Sequence, residues 1–260
     1  MEQIIYNVSL NLDYFILIFL RVSALIISSP IFGRKNVPNT IKICFCILLT
    51  YVIYTAYPNS PDIKYNGILE YALLCIKELL FGLVLGFVTT LLFSIVQTAG
   101  YMIDTQLGFG MASVLDVQSN LSVPITGNFL YIIMIITFFS VNGHLQLIQI
   151  IYATYRQIPA GAVNLNPAIA MTAVEVFAQA FVLAVNVAIP IIAAGLLSEV
   201  IMGFVIRTVP QMNMFVVGIP LKIILGFMIL LLILPVYVSF TEVIFKHMFT
   251  GIENMLKGLA

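Results

Sequence analysis

Charge is scarce in this sequence: Asp, Glu, Lys and Arg make up 8% of its 260 residues, where soluble domains carry about 25%. So few charges cannot clothe a water-facing surface. The 62% hydrophobic content, against about 45–50% in soluble proteins, puts the chain in the membrane-embedded class. Eleven basic residues balance eleven acidic ones, which leaves no net field to attract nucleic acid or an acidic substrate. No Lys or Arg precedes Arg21, so the basic n-region of a cleavable signal peptide is missing and the first apolar run is expected to stay in the mature protein. The three cysteines, Cys44, Cys46 and Cys75, sit in apolar runs without a CxxC spacing. They read as buried free thiols, not as disulfides or metal ligands. The patterns GxxxxGK[ST], HExxH and GxSxG are absent, and His144 and His247 stand far apart, so no enzymatic constellation, metal or cofactor is expected.

What is present is apolar sequence of awkward length. Leu10 to Ile31 is long enough for a membrane helix, and Phe129 to His144 is so only with its flanks. Ile41 to Tyr57 sits at the lower edge of the spanning range. Ile68 to Tyr101 would reach about 50 Å as one helix, against a hydrocarbon core of about 30 Å. Val174 to Ile206 is similarly long and is interrupted by Pro190, which frees the carbonyl of Asn186. Phe215 to Phe240 holds Pro220 and Pro235, and the stretch between them spans only about 21 Å. The fold class that follows is all-α, with hydrophobic membrane-type helices in kinked and broken segments.

Several charges interrupt these runs: Arg21, Glu70, Lys77, Glu78, Glu175, Glu199 and Lys222. Each costs about 2.5–3.5 kcal/mol at a bilayer centre on insertion scales. Glu70, Glu175 and Lys222 lie near segment ends and can snorkel, whereas Arg21, Lys77, Glu78 and Glu199 need a partner within an assembly or a water-filled face. Loop charges divide evenly between the two sides, so orientation is not readable from them. Gly82 and Gly86 form a GxxxG pair that lets helices approach, and ordinary packing within the chain is its simplest use.

Two segments break the apolar pattern most clearly. The run PQMNMFVVGIPLK carries Pro210, Gln211, Asn213, Phe215, Gly218, Pro220 and Lys222. Proline at Pro220 predicts a kink or a fresh helix start there, and interrupted backbone at membrane depth must face protein or a water-filled conduit. The run 106–128, QLGFGMASVLDVQSNLSVPITGN, reads as a long loop hinged at Gly108 and Gly110. Its Leu107, Phe109, Met111, Val114, Leu115 and Leu121 do not suit open water. Such a loop can fold into a cavity or pore, or rest on the protein's own surface. The stretch 241–260 has helical periodicity with mixed charge and predicts an amphipathic helix lying at an interface or against a partner.

Four signatures in register carry a resemblance: RVSALIISSPIFGRKNVP at 21–38, ELLFGLVLGF followed by AGYMIDTQLGFGMAS within 78–113, NGH at 142–144, and VPQMNMFVVGIPLK at 209–222. Together they resemble the flagellar biosynthetic FliR family, the export-gate subunit whose counterpart in type III injectisomes is the T component. The resemblance runs along nearly the whole chain. It implies a single export-gate domain over 1–260, non-enzymatic and without cofactor, in the bacterial inner membrane at the flagellar basal body. It further implies a helical hetero-oligomer with FliP and FliQ, contacts with FlhB and FlhA and with membrane lipid, and passage of unfolded flagellar substrates. The family's pore plug matches 108–122, which implies plug roles for Gly108, Phe109, Gly110, Met111, Leu115, Asp116 and Ser122. The kinked positions Pro190, Pro210, Gln211, Asn213, Phe215, Gly218, Pro220 and Lys222, with Gly82 and Gly86, would shape subunit packing. The chain departs from the family pattern at Val117, where a proline often follows the aspartate matching Asp116. An injectisome subunit of the same family is the nearest alternative, and a secondary transporter or a scaffold without a pore-lining role are more distant ones.

Overall fold

The computed structural model of the chain describes residues 12–57, 65–109, 124–164, 166–208 and 214–259. Among these residues all regular structure is helical: α1 (Leu12–Ser28), α2 (Asn39–Ala56), α3 (Ile68–Leu107), α4 (Ile125–Ser140), α5 (Gly143–Gln157), α6 (Ala168–Thr208) and α7 (Met214–Leu259). α1 starts with Asp13 in its first turn, where a carboxylate complements the helix dipole. It buries Tyr14, Leu17, Ile18, Arg21, Val22 and Leu25, the i, i+3, i+4 stripe of a one-sided helix. Pro30, two residues past its end, cannot continue it. α4 and α5 form a kinked pair. Asn142 between them adopts the left-handed conformation, with φ 56°, which Asn tolerates better than most side chains. Asn142 and Gly143, both turn-forming residues, are where the chain breaks.

The prolines do not divide their helices as the sequence suggested. α6 runs through Pro190, and α7 runs from Met214 to Leu259 through both Pro220 and Pro235. Each proline deletes one backbone hydrogen bond out of some forty in its helix. In a long apolar helix neighbouring segments and local adjustment absorb that loss. The stretch 241–259, expected to be an amphipathic helix, forms the end of α7, with much of its apolar side buried by this chain itself. Ile244, Phe245, Met248, Ile252, Met255 and Leu256 are all buried.

The chain divides into two compact units, and α3, α6 and α7 each contribute to both. In the first unit, 1–91 with 142–177 and 247–260, α1 packs on α2 and lies against α3 at two glycines. A Cβ at Gly82 would stand 2.3 Å from the Arg21 carbonyl oxygen and 2.7 Å from the Ala24 side chain, and one at Gly86 would strike the Ser28 hydroxyl. The end of α7 enters the same unit, with Gly251 against Val88 and Val176, Gly258 against Ile169, and the Leu259 carbonyl accepting from the Asn164 amide at 3.4 Å. In the second unit, 92–141 with 178–246, four rings cluster. Phe138 meets Phe93 at 5.4 Å and Phe245 at 5.2 Å, both edge-on, and Tyr131 meets Phe93 at 6.2 Å. Such pairs add about 0.5–1.5 kcal/mol each beyond area burial. The Tyr237 hydroxyl donates to the Leu130 carbonyl at 2.9 Å, joining α7 to α4.

Among the described residues, four helices are long and apolar enough to cross a membrane: α2, α3, the stretch Ala168–Val205 of α6 and Pro220–Leu259 of α7. Only 17% of the apolar window in α7 and 22% of that in α2 are buried within the chain. Leu231, Leu232 and Val236, each more than 60% exposed, need lipid or another protein against them.

The glycine contacts set a paired prediction. Gly82→Ala should force α1 from α3 and lower stability by about 1–3 kcal/mol, the usual penalty of overpacking. Gly203→Ala, on an α6 position with nothing within 4 Å, should be neutral or stabilising by up to about 1 kcal/mol. Thermal unfolding midpoints of the purified chain in detergent test both.

Candidate functional site

The second unit holds the C-terminal end of α3 on three sides. A Cβ at Gly100 would fall 2.0 Å from the Gly127 Cα, so α3 and α4 meet there main chain to main chain. One turn further on, Asp104 is buried and accepts the Thr126 backbone amide on both carboxylate oxygens, at 3.3 and 3.2 Å. The residue before α4 is Pro124, which offers no side-chain cap. Asp104 therefore supplies from another helix the acceptor that an N-cap residue would give, and its negative charge sits at the positive end of the α4 dipole. α3 then ends between α6 and α7. Gln106 packs on Gly195, Leu107 packs on Gly226, and the Phe109 ring meets the Phe227 ring edge-on at 5.5 Å. Gly108, with φ +82° and open space around its Cα, turns the chain out of the helix.

The first unit holds a second constellation, which sequence reasoning did not assemble. Arg21 on α1 and Glu78 on α3 are 1% and 0% exposed and form a two-point ion pair, Nε to Oε2 at 2.6 Å and Nη2 to Oε1 at 3.0 Å. Arg21 Nη1 also donates to the Ile158 carbonyl at 2.9 Å and reaches the Thr154 hydroxyl at 3.5 Å. The guanidinium lies between the rings of Phe81, 4.1 Å away, and Tyr155, 4.3 Å away. Glu78 Oε1 accepts a further bond from the Gly161 amide at 2.7 Å, at a backbone φ of 86° that favours glycine. The Tyr155 hydroxyl donates to the Ile18 carbonyl at 3.1 Å. A pair buried this deeply survives only with such complete partnering. The signal available in sequence was two opposite charges in apolar runs, at 21 and 78, with nothing to say they meet.

A second ion pair joins α6 to α7: Lys222 Nζ donates to the Glu199 carboxylate, with the side chains 18% and 45% exposed. Of the positions singled out by sequence, Gly110, Met111, Leu115, Asp116, Ser122, Pro210, Gln211 and Asn213 lie outside the described residues. Phe215 is in the first turn of α7, Gly218 is buried one turn later and Pro220 is exposed. Pro190 borders a cavity of about 80 Å³ with Asn186, Ile191 and Tyr237, beside the carbonyl that the proline leaves without its usual helical donor. The structure thus brings together Gly108, Phe109 and the α6–α7 pair that carries Lys222, while Gly82 and Gly86 belong to the other unit. All three cysteines are free, with Cys44 exposed and Cys46 buried on the opposite face of α2.

Comparison with known proteins gives consistent matches. The family model described as bacterial export proteins, family 1, matches residues 12–248. The flagellar biosynthetic protein FliR of Bacillus subtilis (strain 168) is 33% identical over 245 residues, covering 93% of this chain and 94% of the relative. That of Escherichia coli (strain K12) is 28% identical over 240 residues, 92% and 90% of the two chains. The Yop proteins translocation protein T of Yersinia pestis is 31% identical over 201 residues, 76% and 74%.

The buried pair and the remote cap predict different losses. Glu78→Ala or Arg21→Ala strands a charge in apolar surroundings and should cost about 3–5 kcal/mol, whereas replacing both with apolar residues of similar volume should cost much less. Asp104→Ala removes only a cap and should cost about 1 kcal/mol. Thermal midpoints and yields of membrane-extracted protein measure all three, and a double variant as unstable as the sum of the singles would contradict the pairing.

Proposed function

The chain belongs to family 1 of the bacterial export proteins, together with the FliR homologues, and on that premise we propose that it is a pore-forming subunit of the flagellar type III protein export gate. The observation that carries this reading is the match in order over 12–248. In this reading the chain acts as one export-gate domain, assembles with FliP and FliQ, contacts FlhB and FlhA, and passes unfolded flagellar proteins across the inner membrane at the basal body. The apolar surface of α2, α6 and α7 that the chain leaves uncovered supports a subunit meant to be surrounded. It is a transport component and carries no catalysis of its own; the driving energy comes from other proteins.

The segment 108–122 is its resting plug, with Gly108, Phe109, Gly110, Met111, Leu115, Asp116 and Ser122 closing the passage, and Pro210, Gln211, Asn213, Phe215, Gly218, Pro220 and Lys222 shaping subunit contacts. Support comes from the stem of that segment. α3 and α4 are tied at Gly100–Gly127 and Asp104–Thr126, so the chain between them can be displaced while the helices that bear it stay packed. A second reading, an injectisome subunit of the same family, is favoured by the match to the Yersinia pestis translocation protein T.

Deleting 108–122 should leave assembly intact and raise the ion conductance of cells or liposomes carrying the complex; unchanged conductance removes the plug role. Affinity purification should recover two other small hydrophobic proteins with this chain, and flagellar or injectisome partners in the eluate decide between the two readings. Recovery of a lone homo-oligomer would contradict both.

A further inference from the structure

We propose that the Glu199–Lys222 ion pair is a latch that holds α6 and α7 closed on the C-terminal end of α3. Three observations converge. Gly195 lies four residues before Glu199 and Gly226 four residues after Lys222, so on each helix the charged residue and the glycine share a face one turn apart. At the glycine level α3 is gripped. A Cβ on Gly195 would come 2.9 Å from Gln106 Cγ, and one on Gly226 would come 2.4 Å from a Leu107 methyl. At the next level, toward the short connection between α6 and α7, the two helices are drawn together by the carboxylate and the ammonium. The grip and the ionic contact are therefore successive rungs of one helix pair, and separating the upper rung loosens the lower one.

The contact has the character of a switch. Arg21–Glu78 is sealed and fully partnered, which makes it permanent. Glu199 is 45% exposed, so this pair is open on one side and lacks the surrounding partners that fix Arg21. The seat it guards is also imperfect. Among the described residues the Gln106 side-chain nitrogen is buried without a hydrogen-bond partner, so the seated state carries a donor that release would free to find one. A poorly satisfied seat under an ionic closure open on one side is a balanced arrangement, whereas a gap filled with apolar side chains would simply stay shut. What release accomplishes rests on the plug reading above, because Phe109 and Gly108 follow directly on the gripped residues. The latch itself concerns α3, α6 and α7 only.

The test places a reporter in the grip. Leu107 is 2% exposed, so Leu107→Cys, with Cys44, Cys46 and Cys75 changed to Ser, should react slowly with a membrane-permeant maleimide in native membranes carrying the assembled complex. Glu199→Gln and Lys222→Gln should each raise the labelling rate about fivefold, in keeping with a half-exposed pair. The exchange Glu199→Lys with Lys222→Glu should return the rate toward the parent's. Unchanged labelling in both Gln variants overturns the latch, as does a raised rate that the exchange fails to reverse. If the Gln variants do not accumulate, Glu199→Asp decides: an intermediate rate upholds the latch and a parent-like rate overturns it. Conductance of the 108–122 deletion is measured in parallel. Faster labelling with no conductance change in the deletion keeps the latch and removes the plug, and the reverse pattern removes the latch and keeps the plug.

Discussion

A guanidinium taken out of water must have its charge neutralised and its N–H groups bonded, and the first unit of this protein is organised around meeting that demand for Arg21. Three helices and one turn contribute: α1 brings the cation, α3 the carboxylate, α5 the Thr154 hydroxyl and the Tyr155 ring, and the turn after α5 the Ile158 carbonyl and the Gly161 amide. None of these groups can be displaced alone without stranding a buried charge. The arrangement specifies one register of α1 on α3 where apolar contacts alone would tolerate several. The glycines at 82 and 86 then let the two backbones close to the distance that the two-point bond requires.

The second unit achieves its order differently. Its polar contacts between helices include the Asp104 cap on α4, the Tyr237 hydroxyl on the Leu130 carbonyl, and Lys222 on Glu199. Between them the cohesion comes from rings and from small residues in close approach. Local contacts of modest strength can be exchanged one at a time while the ring cluster around Phe138 stays in place. The division of labour between a locked unit and an adjustable one follows from where the sequence spends its rare charges.

Much of this was readable beforehand, and the failures have physical causes. Long apolar runs announced α3 and α6 because length and hydropathy are local properties, and Asn142–Gly143 announced a break because its turn chemistry is local too. The prolines of α6 and α7 misled, since one lost hydrogen bond is a small perturbation in a helix of forty residues held by its surroundings. α5 escaped notice because His144, Gln146, Gln149 and Arg156 dilute its apolar content, and only its buried stripe of Leu147, Ile151 and Tyr155 reveals it. The partner of Arg21 lies 57 residues away, and no periodicity encodes such a distance. Glu199 was marked as a charge needing company and Lys222 as one able to snorkel, and their pairing depended on α6 and α7 folding back on each other. The residues proposed for the plug mostly fall outside the described parts, and only Gly108 and Phe109 connect the sequence reading to geometry.

The meeting of Gly100 with Gly127 touches no side chain at all. Contacts of this kind draw on dispersion between backbones, and they are as favourable under acyl chains as under detergent or a collar of protein, because no hydrophobic surface has to be hidden to form them. The seam between α3 and α4 is in that sense indifferent to its medium. The same seam forms against acyl chains and against protein, with no repacking between one surrounding and the other.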